Sequence, residues 1–158
     1  MSKQPIYDPT DKAAAAEALK LDHQLCFALY SAMLSLNKVY RKLLGRLDLT
    51  YPQYLVMLVL WEGDDLRVSD ICARLILETT TLTPLLKRLE GRGLIHRRRS
   101  PEDERQVLIT LTDEGRALKA RAADIPLCVS QAMGCDLEEL QTLQKDLLRL
   151  RGNLFEAA

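Results

Sequence analysis

The sequence predicts a mainly α-helical fold that contains one small β-hairpin. Leucine carries most of the apolar content, and aromatic residues make up only 5% of the 158 residues. This composition favours helices packed on helices over a β-sandwich. Apolar residues recur every three or four positions along most of the chain. Only the stretch around residues 94–111 changes to the alternation that is typical of strands.

Residues 1–18 are predicted to form a flexible N-terminal arm ahead of a single domain over residues 19–158. The arm contains Pro5, Pro9 and a run of alanines that has no second face to bury. It is polar and lacks the apolar core of a signal peptide. The sequence also has no apolar run of about 18 residues, which excludes a membrane span. A cytoplasmic protein is therefore expected.

Two helices are predicted at the start of the domain. From Leu21 onward, apolar residues at helical spacing predict one long amphipathic helix that reaches about Leu47. Thr50 can cap a second helix, and Gln53, three residues later, completes a capping box. The second helix, over residues 54–61, is apolar nearly all round. It is therefore expected to lie in the core.

A pair of short helices follows in the sequence. Residues 68–75 and 79–92 each carry apolar residues along one face, and only the brief turn 76–78 separates them. Gly93 is expected to end the second helix in a left-handed conformation. A short helix pair with a tight connection, whose second helix is rich in small polar and basic residues, is typical of a helix-turn-helix.

A β-hairpin and two further helices are predicted in the rest of the domain. Residues 94–99 and 106–111 are predicted strands on either side of a polar tip, which together form a wing beside the helix-turn-helix. A helix that opens at Thr112 is interrupted by Pro126. Asp136 then begins a last helix at a capping box.

The helices outside the winged helix-turn-helix are predicted to form a dimerisation domain. The winged helix-turn-helix covers about residues 50–111, and the dimerisation helices cover about residues 19–47 and 112–156. The leucine stripe of the last helix has too little within one chain to bury against. The N- and C-terminal helices of two chains are therefore expected to intertwine, giving a homodimer.

Charge distribution, rather than net charge, points to nucleic acid. The chain holds 22 basic and 22 acidic residues, so its net charge indicates no partner. Between Lys87 and Arg99, however, lie six basic residues and one acidic residue. Such a cluster can be an ordinary solvated surface, but its place on a helix-turn-helix predicts binding to double-stranded DNA. The predicted contacts are Thr79, Thr80, Thr81, Thr83, Lys87, Arg88, Arg97, Arg99, Asp103, Arg105 and Gln106.

Different parts of this set have different expected roles. The threonines at the start of the second helix offer hydroxyl and methyl groups to base edges and phosphates. Arg105, at the tip of the wing, is expected to enter the adjacent minor groove. Asp103 is expected to hold the Arg105 guanidinium in place before DNA arrives.

The sequence resembles the MarR family of winged-helix repressors and, within it, the OhrR branch of organic-hydroperoxide sensors. The resemblance rests on the stretches DHQLCFALY (22–30), LTYPQY (49–54), TLTPLLKRL (81–89) and DERQV (103–107). The last stretch contains the family's Asp-x-Arg wing pattern. The resemblance implies a homodimeric repressor that binds a pseudo-palindromic operator when reduced. It further implies release on oxidation by organic hydroperoxide, with no cofactor.

Cys26 is the candidate peroxide-reactive thiol. An arbitrary cysteine beside the apolar stripe of a helix is usually half-buried filler, but the resemblance identifies Cys26 as the thiol whose ionised form attacks peroxide. It also assigns Tyr40 and Tyr51 as hydrogen-bond donors to that thiolate, reaching it from the partner subunit. Tyr30, one helical turn beyond Cys26, is placed in the same pocket. Tyr54 is interpreted as ordinary core packing.

A second thiol would convert the sulfenic acid of Cys26 to a disulfide. In two-cysteine members of the branch it comes from the other subunit, between the last two helices, at a count nearer Gln131. The chain offers Cys128 and Cys135 there, and Cys135 is preferred because it lies in a mobile stretch before a helix cap. Cys72 is interpreted as core. The sequence contains no Cys-x-x-Cys pair, so no metal site is expected.

Two other functions remain open. A MarR-type repressor that is released by a small phenolic ligand would use the same fold without redox chemistry. A thiol peroxidase would consume peroxide through the same cysteine, but a recognition helix and a wing have no place in such an enzyme. The sequence therefore predicts a DNA-binding regulator and not an enzyme.

Overall fold

Eight α-helices and three short strands form residues 11–158, the part of the chain that the computed structural model describes. The helices are α1 (Lys12–Ala18), α2 (Leu25–Leu44), α3 (Tyr51–Glu62), α4 (Val68–Leu75), α5 (Thr79–Gly91), α6 (Asp113–Arg121), α7 (Ile125–Met133) and α8 (Leu137–Ala157). The strands are β1 (Leu66–Arg67), β2 (Ile95–Arg99) and β3 (Val107–Leu111). The mainly helical fold predicted from the sequence is confirmed. Within the described range, no helix is both long and apolar enough to cross a membrane.

The three strands form one antiparallel sheet in the order β1-β3-β2. β2 and β3 are the predicted hairpin, in which Ile95 lies opposite Leu111 and Arg99 lies opposite Val107. β1 adds two residues on the other side of β3, with Leu66 opposite Ile109. The sequence analysis did not predict β1, because two residues are too few to give an alternating pattern.

The core lies between α3, α4, α5 and the sheet, and the adjoining parts of α2, α6 and α7 complete it. Its largest fully buried side chains are Leu44, Val56, Met57, Leu60, Ile71, Leu82, Leu86, Leu89, Ile95, Ile109, Leu118 and Ile125. Three of these come from α3, the helix that is apolar nearly all round. The prediction that this helix lies in the core is confirmed.

Local capping signals set several helix boundaries as predicted. At the start of α3, the amide of Thr50 donates to Gln53 Oε1 at 2.9 Å. At the start of α8, the amide of Asp136 donates to Glu139 Oε2 at 2.9 Å, and the amide of Glu139 donates to Asp136 Oδ1 at 2.8 Å. After α5, Gly93 has a φ of 69°, the left-handed conformation expected of a glycine that ends a helix.

The predicted long helix from Leu21 is divided in the structure. Leu21–His23 form a 3-10 turn, and α2 begins only at Leu25. Gln24 between them is extended, and its side-chain amide donates to the carbonyl of Ala18. The helical spacing of the apolar residues cannot reveal this break, because a single extended residue hardly disturbs the spacing.

The predicted flexible arm also differs in its second half. Residues 12–18 form α1, because the Asp11 carboxylate accepts hydrogen bonds from the amides of Ala13 and Ala14. The side chains of α1 all remain exposed or half-buried. Residues 1–10 of the arm lie outside the described residues.

The helices at the two ends of the domain expose much of their apolar surface. Within residues 11–158, α8 buries none of its side chains. Leu143, Leu147 and Leu154 on α8 are 52%, 39% and 60% exposed. A cavity of about 680 Å³ separates α8 from the start of α2, where Leu25 and Leu29 face Leu143 and Leu147. We call this surface, which includes Leu25, Leu29, Leu143 and Leu147, the terminal-helix face. An exposed surface on which leucines predominate, with Asp146 and Arg149 beside them, is typical of a protein–protein interface.

Candidate DNA interface and thiol site

α4, a tight turn and α5 form the helix-turn-helix. Ile76 in the turn has a φ of 56°, and α5 begins at Thr79 immediately beyond the turn. Thr80 and Thr81 project exposed side chains from the first turn of α5. The hydroxyl of Thr83 donates to the Thr79 carbonyl at 2.7 Å, so it is already engaged with the backbone. The start of α5 therefore presents mainly Thr79, Thr80 and Thr81 to a ligand.

Of the four basic residues on α5 and β2 that are predicted to contact DNA, three are exposed and one faces inward. Lys87, Arg88 and Arg99 are exposed on α5 and β2. Arg97, a predicted DNA contact, connects β2 to α5. Its amide donates to Glu90 Oε1 at 3.1 Å, and its Nη1 lies 3.7 Å from Glu90 Oε2. The cause is geometric, since Arg97 occupies a part of β2 that packs beside α5.

The wing tip is held by Asp103, although not in the way the sequence suggests. Asp103 Oδ1 accepts from the amide of Arg105 at 3.0 Å, and Oδ2 accepts from the side chain of Gln106 at 3.0 Å. Because local backbone and amide donors occupy the carboxylate, it shapes the turn. In the described part of the chain it makes no ion pair with the Arg105 guanidinium, so that expectation is wrong. Arg105 itself is exposed at the tip.

Tyr40 and Tyr51 lie together between α2 and α3. Their ring centroids are 4.2 Å apart. Burial raises the pKa of Tyr40 to about 12, with smaller contributions from Tyr51 and Tyr54. Burial also raises the pKa of Tyr51, while the Tyr40 hydroxyl lowers it. Both phenols therefore remain protonated at neutral pH, which is the form that donates a hydrogen bond.

Cys26 is far from this pair within one chain. It is exposed on the first turn of α2, and Tyr40 lies 14 positions later on the same helix. At 1.5 Å per residue, the two are about 21 Å apart along the helix axis. Tyr30, one turn beyond Cys26, is 61% exposed. The structure therefore brings Tyr40 and Tyr51 together but does not bring Cys26 to them in a single chain.

The other three cysteines differ in accessibility. Cys128 is half-buried on α7, which packs against α2. Cys135 is exposed in the connection to α8, directly after Gly134 with its φ of 67°. Cys72 is half-buried against the core, and its sulfur lies 3.7 Å from the Thr79 hydroxyl. The choice between Cys128 and Cys135 as second thiol stays a prediction.

Trp61 near the end of α3 and Asp64 just after it connect this helix to α6 and to the wing. Neither connection was predicted from the sequence. The Trp61 indole N–H donates to the carbonyl of Gly115 at 2.9 Å. Asp64 accepts from the Leu111 amide at 2.8 Å and from Arg116 Nη1 at 2.6 Å. A lone tryptophan in a core helix was a signal, because a buried indole N–H requires an acceptor.

Known proteins match most of this chain. Residues 38–122 match the family model described as transcriptional regulator SarA/Rot. The organic hydroperoxide resistance transcriptional regulator of Bacillus subtilis (strain 168) is 49% identical over 133 residues, which are 82% of this chain and 90% of that protein.

Solved structures also resemble this fold. Reduced AbfR bound to DNA aligns with a TM-score of 0.75 at 34% identity, covering 89% of this chain and 99% of that one. AbfR with its disulfide formed aligns with a TM-score of 0.62 at 34% identity, covering 91% and 96%. AbfR is from Staphylococcus epidermidis.

Proposed function

This chain belongs to the SarA/Rot family of winged-helix transcriptional regulators and has the fold of the MarR-type repressors, and from that premise we propose a specific function. The protein represses transcription as a reduced homodimer and leaves its operator when an organic hydroperoxide oxidises Cys26. The observation that carries this proposal is the half-buried Tyr40–Tyr51 pair, whose protonated hydroxyls form a donor site about 21 Å along α2 from the thiol of the same chain. The names of the relatives support the same chemistry.

The DNA complex follows from the position of α5. Its exposed threonines enter the major groove, Lys87 and Arg88 approach phosphates or base edges, and Arg105 reaches the adjacent minor groove. A two-fold symmetric dimer presents two such units, so its operator is pseudo-palindromic. This function places the protein in the cytoplasm, where thiols stay reduced until peroxide arrives.

The thiol chemistry begins with Cys26 of one subunit and the tyrosine pair of the other. The Tyr40 and Tyr51 hydroxyls donate to the Cys26 thiolate and favour the ionised form. The thiolate sulfur attacks the terminal peroxide oxygen and forms an S–O bond. The O–O bond breaks, and the alkoxide leaves and takes up a proton to become an alcohol. Cys26 is now a sulfenic acid.

A second thiol then completes the oxidation. Cys135 of the other subunit attacks the Cys26 sulfur, an S–S bond forms, and the hydroxyl leaves as water. Because a disulfide needs Cα atoms within about 7 Å, the connection between α7 and α8 has to move. The disulfide favours an arrangement in which the two α5 helices no longer match the half-site spacing, and the DNA is released.

Cys26→Ser tests the function directly. The reduced variant should bind a duplex that the reduced parent selects from a random library, and cumene hydroperoxide should no longer release it. Cys72→Ala, which removes a thiol outside the proposed site, should respond like the parent. Retention by parent and variant alike would contradict the redox mechanism. Release from Cys26→Ser at the parental peroxide concentration would also contradict it, because peroxide would then act without Cys26.

The tyrosine pair and the second thiol have their own tests. Tyr40→Phe and Tyr51→Phe should each slow alkylation of Cys26 at neutral pH, because the thiolate loses a donor, whereas Tyr30→Phe should slow it less.

Peroxide should convert the parent to a covalent dimer on a non-reducing gel. Cys135→Ser should abolish that dimer and Cys128→Ser should not. The reverse pattern would assign the role to Cys128.

A further inference from the structure

A row of aromatic rings extends from the tyrosine pair to the far end of α3. Tyr54 lies one turn after Tyr51 and is only 2% exposed. Its ring centroid lies 6.0 Å from that of Tyr40 and 6.2 Å from that of Trp61, the latter in an edge-to-face arrangement. Such packed aromatic pairs have preferred geometries, so a shift of one ring favours a shift of the next.

Trp61, the last ring of this row, forms two hydrogen bonds with α6. Its indole N–H donates to the Gly115 carbonyl at 2.9 Å. Its own carbonyl accepts from Lys119 Nζ at 3.0 Å. Both acceptor and donor lie in the first two turns of α6, so Trp61 and that end of α6 form one unit.

The start of α6 also forms hydrogen bonds with the residues that follow α5. The Thr112 hydroxyl donates to the Gly93 carbonyl at 2.6 Å, and the Thr112 amide donates to the Leu94 carbonyl at 3.1 Å. Gly115 packs so closely here that a Cβ on it would lie 2.0 Å from the Leu94 carbonyl oxygen. Because Gly93 and Leu94 directly follow α5, a shift of α6 at this point moves the end of the recognition helix.

We propose that Tyr54 and Trp61 are positioning residues that couple the Tyr40–Tyr51 pair to the C-terminal end of α5. This inference rests on the proposed function, since it concerns how oxidation at the thiol site reaches the DNA-binding helix. When Cys26 leaves its tyrosine donors to form a disulfide, Tyr40 and Tyr51 lose their partner and repack. Tyr54 follows Tyr40, Trp61 follows Tyr54, and α6 carries the movement to Gly93.

Ordinary core packing predicts a different outcome from coupling. A packing role would appear as lost stability in both redox states. A coupling role would appear as a change in the difference between the DNA affinities of the reduced and oxidised states, because only that difference transmits the signal. Proximity alone does not establish coupling, so the difference itself has to be measured.

Trp61→Phe in the full-length dimer is the central variant, because it keeps an aromatic ring and removes the N–H that bonds Gly115. Cys26 should form a sulfenic acid with cumene hydroperoxide at the parental rate, and the reduced variant should bind the selected duplex with similar affinity. The oxidised variant should hold DNA about tenfold more tightly than the oxidised parent, within the usual range of allosteric coupling. Equal release from oxidised variant and parent would overturn the inference.

A milder variant keeps the test valid if Trp61→Phe does not fold. Lys119→Met removes the second link to Trp61 from an exposed position and should weaken release in the same direction, by a smaller factor. Lys12→Met, which removes an exposed lysine from α1, is the matched control and should release DNA like the parent. If Lys119→Met and Lys12→Met released DNA identically to the parent, the coupling would be absent.

Fluorescence provides an independent measurement, because Trp61 is the only tryptophan in the sequence. Its emission should change when the parent is oxidised and should stay constant in peroxide-treated Cys26→Ser. Unchanged emission in a parent that releases DNA would overturn the inference but leave the proposed function intact. A parent that fails to oxidise at Cys26, or that keeps its DNA when oxidised, would instead overturn the proposed function and with it the inference.

Discussion

Leu86 on α5 and Leu147 on α8 both lie on the apolar faces of amphipathic helices, but only Leu86 is fully buried within one chain. Leu147 belongs to a helix that buries none of its side chains within the described residues. The winged helix-turn-helix packs around a buried core that the ends of α2, α6 and α7 complete, whereas the terminal-helix face leaves its apolar side chains partly or largely exposed. The DNA-binding part is therefore packed within one chain, whereas the terminal helices leave apolar side chains exposed, as expected of a surface that a second chain covers.

The largest expected effect is on the self-contained core. Leu86→Ala removes a fully buried side chain between α3, α4 and the sheet, and should lower the free energy of unfolding by about 2–5 kcal/mol. The loss should not depend on protein concentration once the dimer is formed, because the cavity lies within one chain. Denaturant unfolding at two protein concentrations measures it. A loss below about 1 kcal/mol would mean that this part of the core is loosely packed.

The next effect is on association. Leu147→Lys places a charge on the terminal-helix face, opposite Leu25 and Leu29, and burying an unpaired charge is strongly unfavourable. We expect the dimer dissociation constant to rise about a hundredfold, which corresponds to about 2.7 kcal/mol. Sedimentation over a range of concentrations measures this change. Lys145→Leu, an exchange elsewhere on the exposed surface of α8, is the comparison variant. A Leu147→Lys protein that remains dimeric would show that the subunits associate through another surface.

The third effect separates two parts of the wing. Arg105→Ala at the exposed tip should weaken operator binding by about 1–3 kcal/mol if the side chain contacts bases. Arg97→Ala should leave binding within about twofold of the parent, because the Arg97 guanidinium pairs with Glu90, with Nη1 3.7 Å from Oε2. Binding titrations at one fixed salt concentration measure both, since phosphate contacts make affinity depend on salt. Equal losses for the two variants would mean that Arg97 leaves Glu90 in the DNA complex.

Local signals made much of this fold predictable. Thr50 with Gln53, Asp136 with Glu139, and Gly93 each define a helix end through residues within three positions, and the structure has all three ends as predicted. The resemblance to the peroxide-sensing repressors is likewise confirmed by the relatives. Helix ends that are set by a capping residue within three positions were therefore predictable, whereas the break at Gln24, which the apolar spacing does not reveal, was not.

At the wing, one expectation was wrong because a side chain had two possible partners. Asp103 could bond the guanidinium of Arg105 or its backbone amide, and the tight turn favoured the amide. Arg97 also has two possible partners, DNA and Glu90, seven positions earlier in the sequence; its Nη1 lies 3.7 Å from Glu90 Oε2, and its contact with DNA stays a prediction. The proposed thiol site needs a second chain to bring a tyrosine pair to Cys26, and a single sequence cannot position that chain.

The smallest expected effect is a pH dependence of stability that originates at the tyrosine pair. Burial raises the pKa of Tyr40 from 10.0 to about 12, so between these values the folded protein retains a proton that the unfolded chain has released. The stability that this pKa shift contributes is therefore fully present below pH 10 and falls as the pH rises toward 12. Tyr40→Phe should make this fall shallower, because phenylalanine has no proton to lose. Unfolding in urea at pH 9 and pH 11 measures the difference.

Tyr30→Phe is the control, since Tyr30 is largely exposed. The stability of this variant should depend on pH as that of the parent does. If parent and Tyr40→Phe lost the same stability over this range, Tyr40 would be solvated in solution, and the closed tyrosine site on which both proposals depend would not be the dominant state.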